Sequence, residues 1–408
     1  INVTASSQLR VSADGLVQGD KVCLTSTNAS VAVAKPTSWS ASTPTANNSI
    51  IHNGGVAFVA EEDVQLYQFF NAEKWMEYRA GNSFTFGVAN YYGDVVTKGT
   101  VTEKLPTTLS ADTLILETGG TLSLTGTLTA GKHLELVAGE DVLISGTIAA
   151  GYGKSVIDEL KIVAKGERQS KQVVDTNAQG MSNVTTTLVD TGYITIQAKA
   201  LPATNFELRA KRDIYIALHD DTATVSNLTL TGFVGGLAAF DPAVNVEMQI
   251  EGALTVLGGI VRADAEHGGD IKVVAATVNV DGASVFIGDT LQVTATNGIV
   301  LNTLINTLIA ESSSSGNIVV NEADGLTVES VVANNGAIKI FTAGNTYVGE
   351  IRNNVDASVN NIEVRAAGTL YVDLIEAASN AGAMKQYGSI LLESTDDVQE
   401  WHTDQEAA

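Results

Sequence analysis

The sequence predicts an all-β protein built on a parallel β-helix, or β-solenoid, and three observations carry that expectation. Short aliphatic triplets recur at a spacing of roughly 20 to 28 residues along most of the chain. The segments between them are small or polar turns such as Ala-Gly, Asn-Gly and Asn-Asn. Aromatic content and charge both change near residue 107. The chain therefore divides into a small β-sandwich-like N-terminal domain over 1–107, a parallel β-helix over 108–395, and an acidic tail over 396–408.

Composition sets the limits. With 408 residues, 44% hydrophobic and only 17% charged, the chain is expected to fold rather than stay disordered. Its net charge of -23 repels a phosphate backbone, which argues against nucleic acid as a partner. The longest apolar runs, such as Phe233 to Phe240, fall short of the ~18–20 residues a membrane-spanning helix needs. Cys23 is the single cysteine and has no partner pattern, so it reads as an inert buried thiol. The chain opens at Ile1 rather than methionine, from which removal of an upstream secretion signal is expected.

Residues 1–107 hold 11 of the 23 aromatics, and 7 basic against 9 acidic side chains, a net of -2. The remaining residues carry -21. Val64 to Phe69 and Ser83 to Val88 alternate polar and apolar residues, the period of half-buried strands. Ile1 to Ala13 alternates less cleanly. Gly, Asn and Ser punctuation between these strands favours a small sandwich or barrel.

Beyond residue 107 the chain repeats itself. Gly126-Thr127-Leu128-Thr129-Ala130-Gly131 returns one period later as Gly146-Thr147-Ile148-Ala149-Ala150-Gly151. Triplets begin at Ile271, Leu291, Ile318, Ile338, Ile362 and Ile390, at unequal steps of which the longest run from Leu291 to Ile318 and from Ile362 to Ile390. A second type of unit lies between them, at Leu326 to Val331, Tyr347 to Ile351 and Leu370 to Ile375. Strands this short cannot hold a sheet alone. Stacked one coil on the next at about 4.8 Å, they pair and their branched side chains fill a tube. Extra residues must then leave at the corners, so Lys165 to Gly192 reads as a protruding loop and Ala217 to Asn245 as a longer coil.

The run Leu-Ser-Leu-Thr-Gly-Thr-Leu-Thr-Ala-Gly at 122 to 131, followed by Leu-Glu-Leu-Val-Ala-Gly-Glu-Asp-Val-Leu-Ile-Ser-Gly-Thr-Ile at 134 to 148, resembles the shafts of filamentous-haemagglutinin-type adhesins and related large bacterial surface proteins. The resemblance covers about 108 to 395. It implies a right-handed parallel β-helix, exported and used in adhesion or a surface coat. Such proteins open with an Asn-Pro-rich secretion module, and residues 1–107 contain no Asn-Pro pair.

Catalytic chemistry finds thin support. A glycosidase needs two carboxylates about 5–10 Å apart across a cleft. Asp220 and Asp221 after His219, the run Glu61, Glu62 and Asp63, and the pair Asp396 and Asp397 all read as solvated turns. His267-Gly268-Gly269-Asp270 resembles a polygalacturonase-type His-Gly element without its companion motifs, and reads as a turn before the strand at 271. The histidines His52, His133, His219, His267 and His402 have no zinc spacing. No catalytic residue and no cofactor is expected; weak, dispersed calcium binding is the most the acidic turns suggest. Sequons stand at Asn2, Asn28, Asn47, Asn183 and Asn227.

The expected function is that of a secreted, non-enzymatic surface protein. It would form a filament or coat by self-association through its ends, with surface glycan or a host receptor as further partners. The residues expected to make contacts are Ile1, Val3, Leu9 and Val11 of the first strand, the aromatics Trp39, Trp75, Tyr91 and Tyr92, and Trp401 in the tail. The alternative is a carbohydrate-active or carbohydrate-binding β-helix, including a phage-type fibre or spike.

Overall fold

The structure is a computed structural model. It describes residues 2–11, 17–29, 31–33, 50–60, 63–66, 75–80, 83–86, 108–166, 169–176, 182–189, 191–220, 225–237, 244–263, 268–355, 359–377 and 388–400. These form an all-β solenoid of parallel strands, with no helix among them. Among the described residues no helix is long and apolar enough to cross a membrane. The chain divides into two compact units, Ile1–Arg212 and Asp213–Ala408.

In the first unit one column of register partners runs Val3, Leu24, Phe58, Tyr78, Leu116, Leu136, Ile162, Leu208, every step parallel. Leu24, Phe58, Leu116, Leu136, Ile162 and Leu208 are buried, so alternate residues of each strand face inward. A second column joins Leu122, Val142 and Ile194, and a third joins Leu109, Leu128 and Ile148. The repeat at 126–131 and 146–151 is this third column, with Thr127 lying over Thr147.

The described strands of residues 1–107 pair in parallel. Trp75–Ala80 stacks in parallel on Thr113–Thr118, across the change in composition at 107. Leu9–Val11, Val31–Val33, Asp63–Leu66 and Ser83–Phe86 form a second parallel sheet. A period of two marks a half-buried strand without saying whether its neighbour runs parallel or antiparallel.

The segment expected to bulge after Lys165 is an antiparallel hairpin, Gln169–Thr176 paired with Ser182–Val189. It forms a two-stranded sheet of its own. The coil stacking resumes on either side: Leu160 lies over Phe206 and Val142 over Ile194.

In the second unit one column runs Ile214, Val246, Ile271, Leu291, Leu308, Val328, Val348, Val372. Another runs Leu228, Leu254, Val278, Ile299, Ile318, Ile338, Ile362, Ile390. The triplets at 271 and 291 thus belong to the first column, and those at 318, 338, 362 and 390 to the second. The apparent long step from Leu291 to Ile318 joins two different faces, because the coil that follows Leu291 is a short one and already closes at Leu308. The region from Ala217 to Asn245 is a longer coil as expected, its described part holding strands Leu228–Leu230 and Gly232–Gly236. The latter opens a third face, continued by Ile260–Arg262 and by Phe286 over Thr303. Ile299, Ile318, Ile338 and Ile362 are almost wholly buried. Each such side chain contributes about 1.5–3 kcal/mol of burial free energy.

Candidate functional site

Coil corners in the second unit share one device. An Asn or Asp side chain accepts the backbone N–H of the residue at its own position one coil later. Asp213 accepts from Asn245 at 2.9 Å, Asn245 from Asp270 at 2.8 Å, and Asp270 from Thr290 at 3.2 Å. Asn227, Asn317, Asn345 and Asn361 do the same for Ala253, Ala337, Thr369 and Ser389. The device satisfies donors at a position where the strand ladder has ended.

Several carboxylates singled out in the sequence fall into such roles. Asp270 is a corner acceptor, and Gly268 beside it has a positive φ of 75°. Asp397 accepts the N–H of Val398 and the side-chain amide of Gln399, both at 2.9 Å. The Asp220 N–H donates to Glu251, whose carboxylate also lies 3.5 Å from the exposed His219 imidazole. Asp221, Glu61, Glu62 and His267 lie outside the described residues. Among the described residues no group of three or more His, Cys, Asp or Glu could hold a metal ion.

Glu322 was not singled out, and among the described residues it is the least ordinary titratable group. It ends the strand Ile318–Glu322 on the inward phase set by Ile318 and Val320, with 5% of its surface exposed. Its register partners are Thr303 and Thr342, both buried. One carboxylate oxygen accepts the N–H groups of Ala323 at 2.9 Å and Asp324 at 3.3 Å; the other accepts the N–H of Ile305 at 3.3 Å. Burial pushes the carboxyl up to about 7, and the neighbouring Asp324 carboxylate adds to the shift while hydrogen bonds from Thr303 and the Asp324 backbone oppose it. The group can therefore hold a proton near neutral pH. The signal in the sequence was a charge on an otherwise aliphatic phase.

Outward positions form polar ladders along the stack. Glu363 pairs with Lys339 at 3.3 Å and Arg365 at 2.7 Å, and Arg365 also reaches Glu393 at 2.9 Å. The Arg365 hydrogen bond, then that of Lys339, holds the Glu363 carboxyl below its usual range. Tyr347 and Tyr371 stack at 4.6 Å with planes 2° apart. Each ring gives one face to the other.

The terminal described strand rows leave aliphatic side chains open. Ile390 continues the buried Ile338 and Ile362 column yet is 46% exposed, and Val398, which follows buried Leu370, is 48% exposed. In the first unit Val3 is 38% exposed although its partner Leu24 is buried. Of the expected contact residues, Val3 is thus open, while Leu9 and Val11 are buried in the second sheet over Val31 and Val33. Trp75 begins the strand that pairs with Gly55 and Thr113. Ile1, Trp39, Tyr91, Tyr92 and Trp401 lie outside the described residues. Cys23 is half-buried, with a free thiol, between Asn2 and Ala57 in register.

No protein-family model, curated protein or solved structure matches the chain.

Proposed function

We propose that the chain forms the shaft of a secreted, non-enzymatic surface protein, of the structural or adhesive kind its sequence resembles, and that it assembles into a filament or coat by stacking its end on a second copy. The observation that carries this reading is the open row at Ile390 and Val398. Both continue columns whose preceding members, Ile362 and Leu370, are buried, and both keep a strand edge that a further parallel strand would pair. A second copy offers that strand together with a matching aliphatic row. A head-to-tail contact of this kind propagates rather than closing.

The carbohydrate alternative gains little from the Tyr347–Tyr371 pair. A sugar stacks on a ring face, and Tyr347 and Tyr371 have turned faces toward each other. The test is electron microscopy and sedimentation of the full chain beside Ile390→Lys and Val398→Lys variants. Filaments or concentration-dependent oligomers that both variants abolish support the reading. A chain that stays monomeric, or variants that assemble like the parent, overturn it.

A further inference from the structure

Outward residues on the faces of the second unit are mainly polar, as at Glu247, Lys272, Gln292, Lys339, Glu363 and Arg365. The third face departs from this rule. Val234, Val261 and Phe286 point inward and are buried, which turns Phe233, Ile260, Val285 and Ile287 outward, with Leu304 following Ile287 in register. Ile260 and Leu304 are 40% and 38% exposed. Arg262 lies in this stripe, between Gly235 and Ile287 in register. Among the described residues it has no ion-pair partner, although the chain carries 46 acidic side chains and Lys132, Lys161, Lys272, Lys339, Arg352 and Arg365 are all paired.

An apolar stripe around a guanidinium without an ion pair among the described residues suits a segment with an aromatic anchor flanked by carboxylates, because Arg both pairs with carboxylate and packs on an indole face. One acid-flanked tryptophan, Trp75 between Glu73 and Glu77, begins a strand paired on both sides. The other segment of this kind begins in the last described strand: Val398-Gln399-Glu400-Trp401-His402-Thr403-Asp404-Gln405-Glu406. Its own copy is too far away. Seven coil steps separate the coil of Arg262 from Glu400, along Val246, Ile271, Leu291, Leu308, Val328, Val348, Val372 and Glu400. At about 4.8 Å each they amount to about 34 Å. Trp401 is adjacent to Glu400, and Asp404 extends at most about 14 Å beyond it.

We propose that the outer stripe Phe233, Ile260, Val285, Ile287 and Leu304 around Arg262 docks the acidic Trp401 segment of a second copy of this chain. The contact is lateral and does not depend on end-to-end stacking. It would tie neighbouring shafts together side by side.

The test is fluorescence anisotropy with a labelled peptide of residues 398–406, titrated with the full chain carrying Trp401→Ala so that its own segment does not compete. Saturable binding is expected, weakened about tenfold or more by Arg262→Glu and by Trp→Ala in the peptide. Leu304→Asn should weaken it several-fold with an unchanged thermal melt. An Ile390→Lys chain, which cannot stack end to end, should still bind, so this contact and the end contact fail separately. Absence of saturable binding, equal binding by the Arg262→Glu chain, or a peptide indifferent to its tryptophan would each overturn the proposal.

Discussion

Asn317 accepts the backbone N–H of Ala337, one coil later, at 2.9 Å. This contact ties two coils together at a corner, beyond the end of the strand ladder. Asn317→Ala is expected to lower stability by about 0.5–1.5 kcal/mol, the net value of one such hydrogen bond, while Asn317→Asp, which keeps the acceptor, should lose less. Urea unfolding of both variants measures the difference. An Ala variant as stable as the parent would mean that water replaces the side chain at no cost.

Gly316 has a φ of 100°, and a Cβ there would stand 2.1 Å from the carbonyl oxygen of Asn297. Backbone, rather than a flexible side chain, blocks the space. Gly316→Ala should therefore cost about 2–3 kcal/mol. By contrast, Gly282→Ala meets nothing within 4 Å and should melt close to the parent.

Glu322 makes stability depend on pH. Its folded carboxyl lies near 7, above the unfolded value of 4.5, so the folded state binds the extra proton. That contribution is complete below about pH 4.5 and is lost as pH rises through about 7. Glu322→Gln imitates the protonated form. The variant should melt with the parent near pH 4.5 and above it at pH 8, with about 2–4 °C for each kcal/mol recovered in a unit of this size. A melting difference that does not change with pH would assign the effect to packing instead.

The hairpin Gln169–Val189 should be dispensable to the fold. Replacing residues 167–190 by a short Gly-Ser linker keeps Leu160 over Phe206 and Val142 over Ile194. Circular dichroism and the melting transition should remain close to those of the parent. A collapse of the melt would show that the hairpin braces the coil.

Much of this architecture was legible wherever the coil length is constant. The copies at 126–131 and 146–151 keep step with each other, and Thr127 indeed lies over Thr147. It became illegible where the step varies. Leu24 pairs with Phe58, Phe58 with Tyr78 and Tyr78 with Leu116, and the middle step is far shorter than the two around it, so no single period aligns the N-terminal strands. The same irregularity joined Leu291 to Ile318 across two faces, since both triplets carry the same aliphatic pattern. The open row at Ile390 and Val398 could not be read either. Its residues look like those of any buried coil, and only the stacking distinguishes an uncovered row from an inner one.

The hairpin leaves and rejoins the wall between Lys165 and Thr191, with Asp141 accepting the N–H groups of Gly192 and Tyr193 at 2.6 and 3.0 Å at its foot. The two parts of the chain therefore answer to different selection. Substitutions in the wall must respect neighbours above and below, whereas the arm can change length and sequence freely. Variation among related chains should concentrate there, giving one scaffold many outward faces.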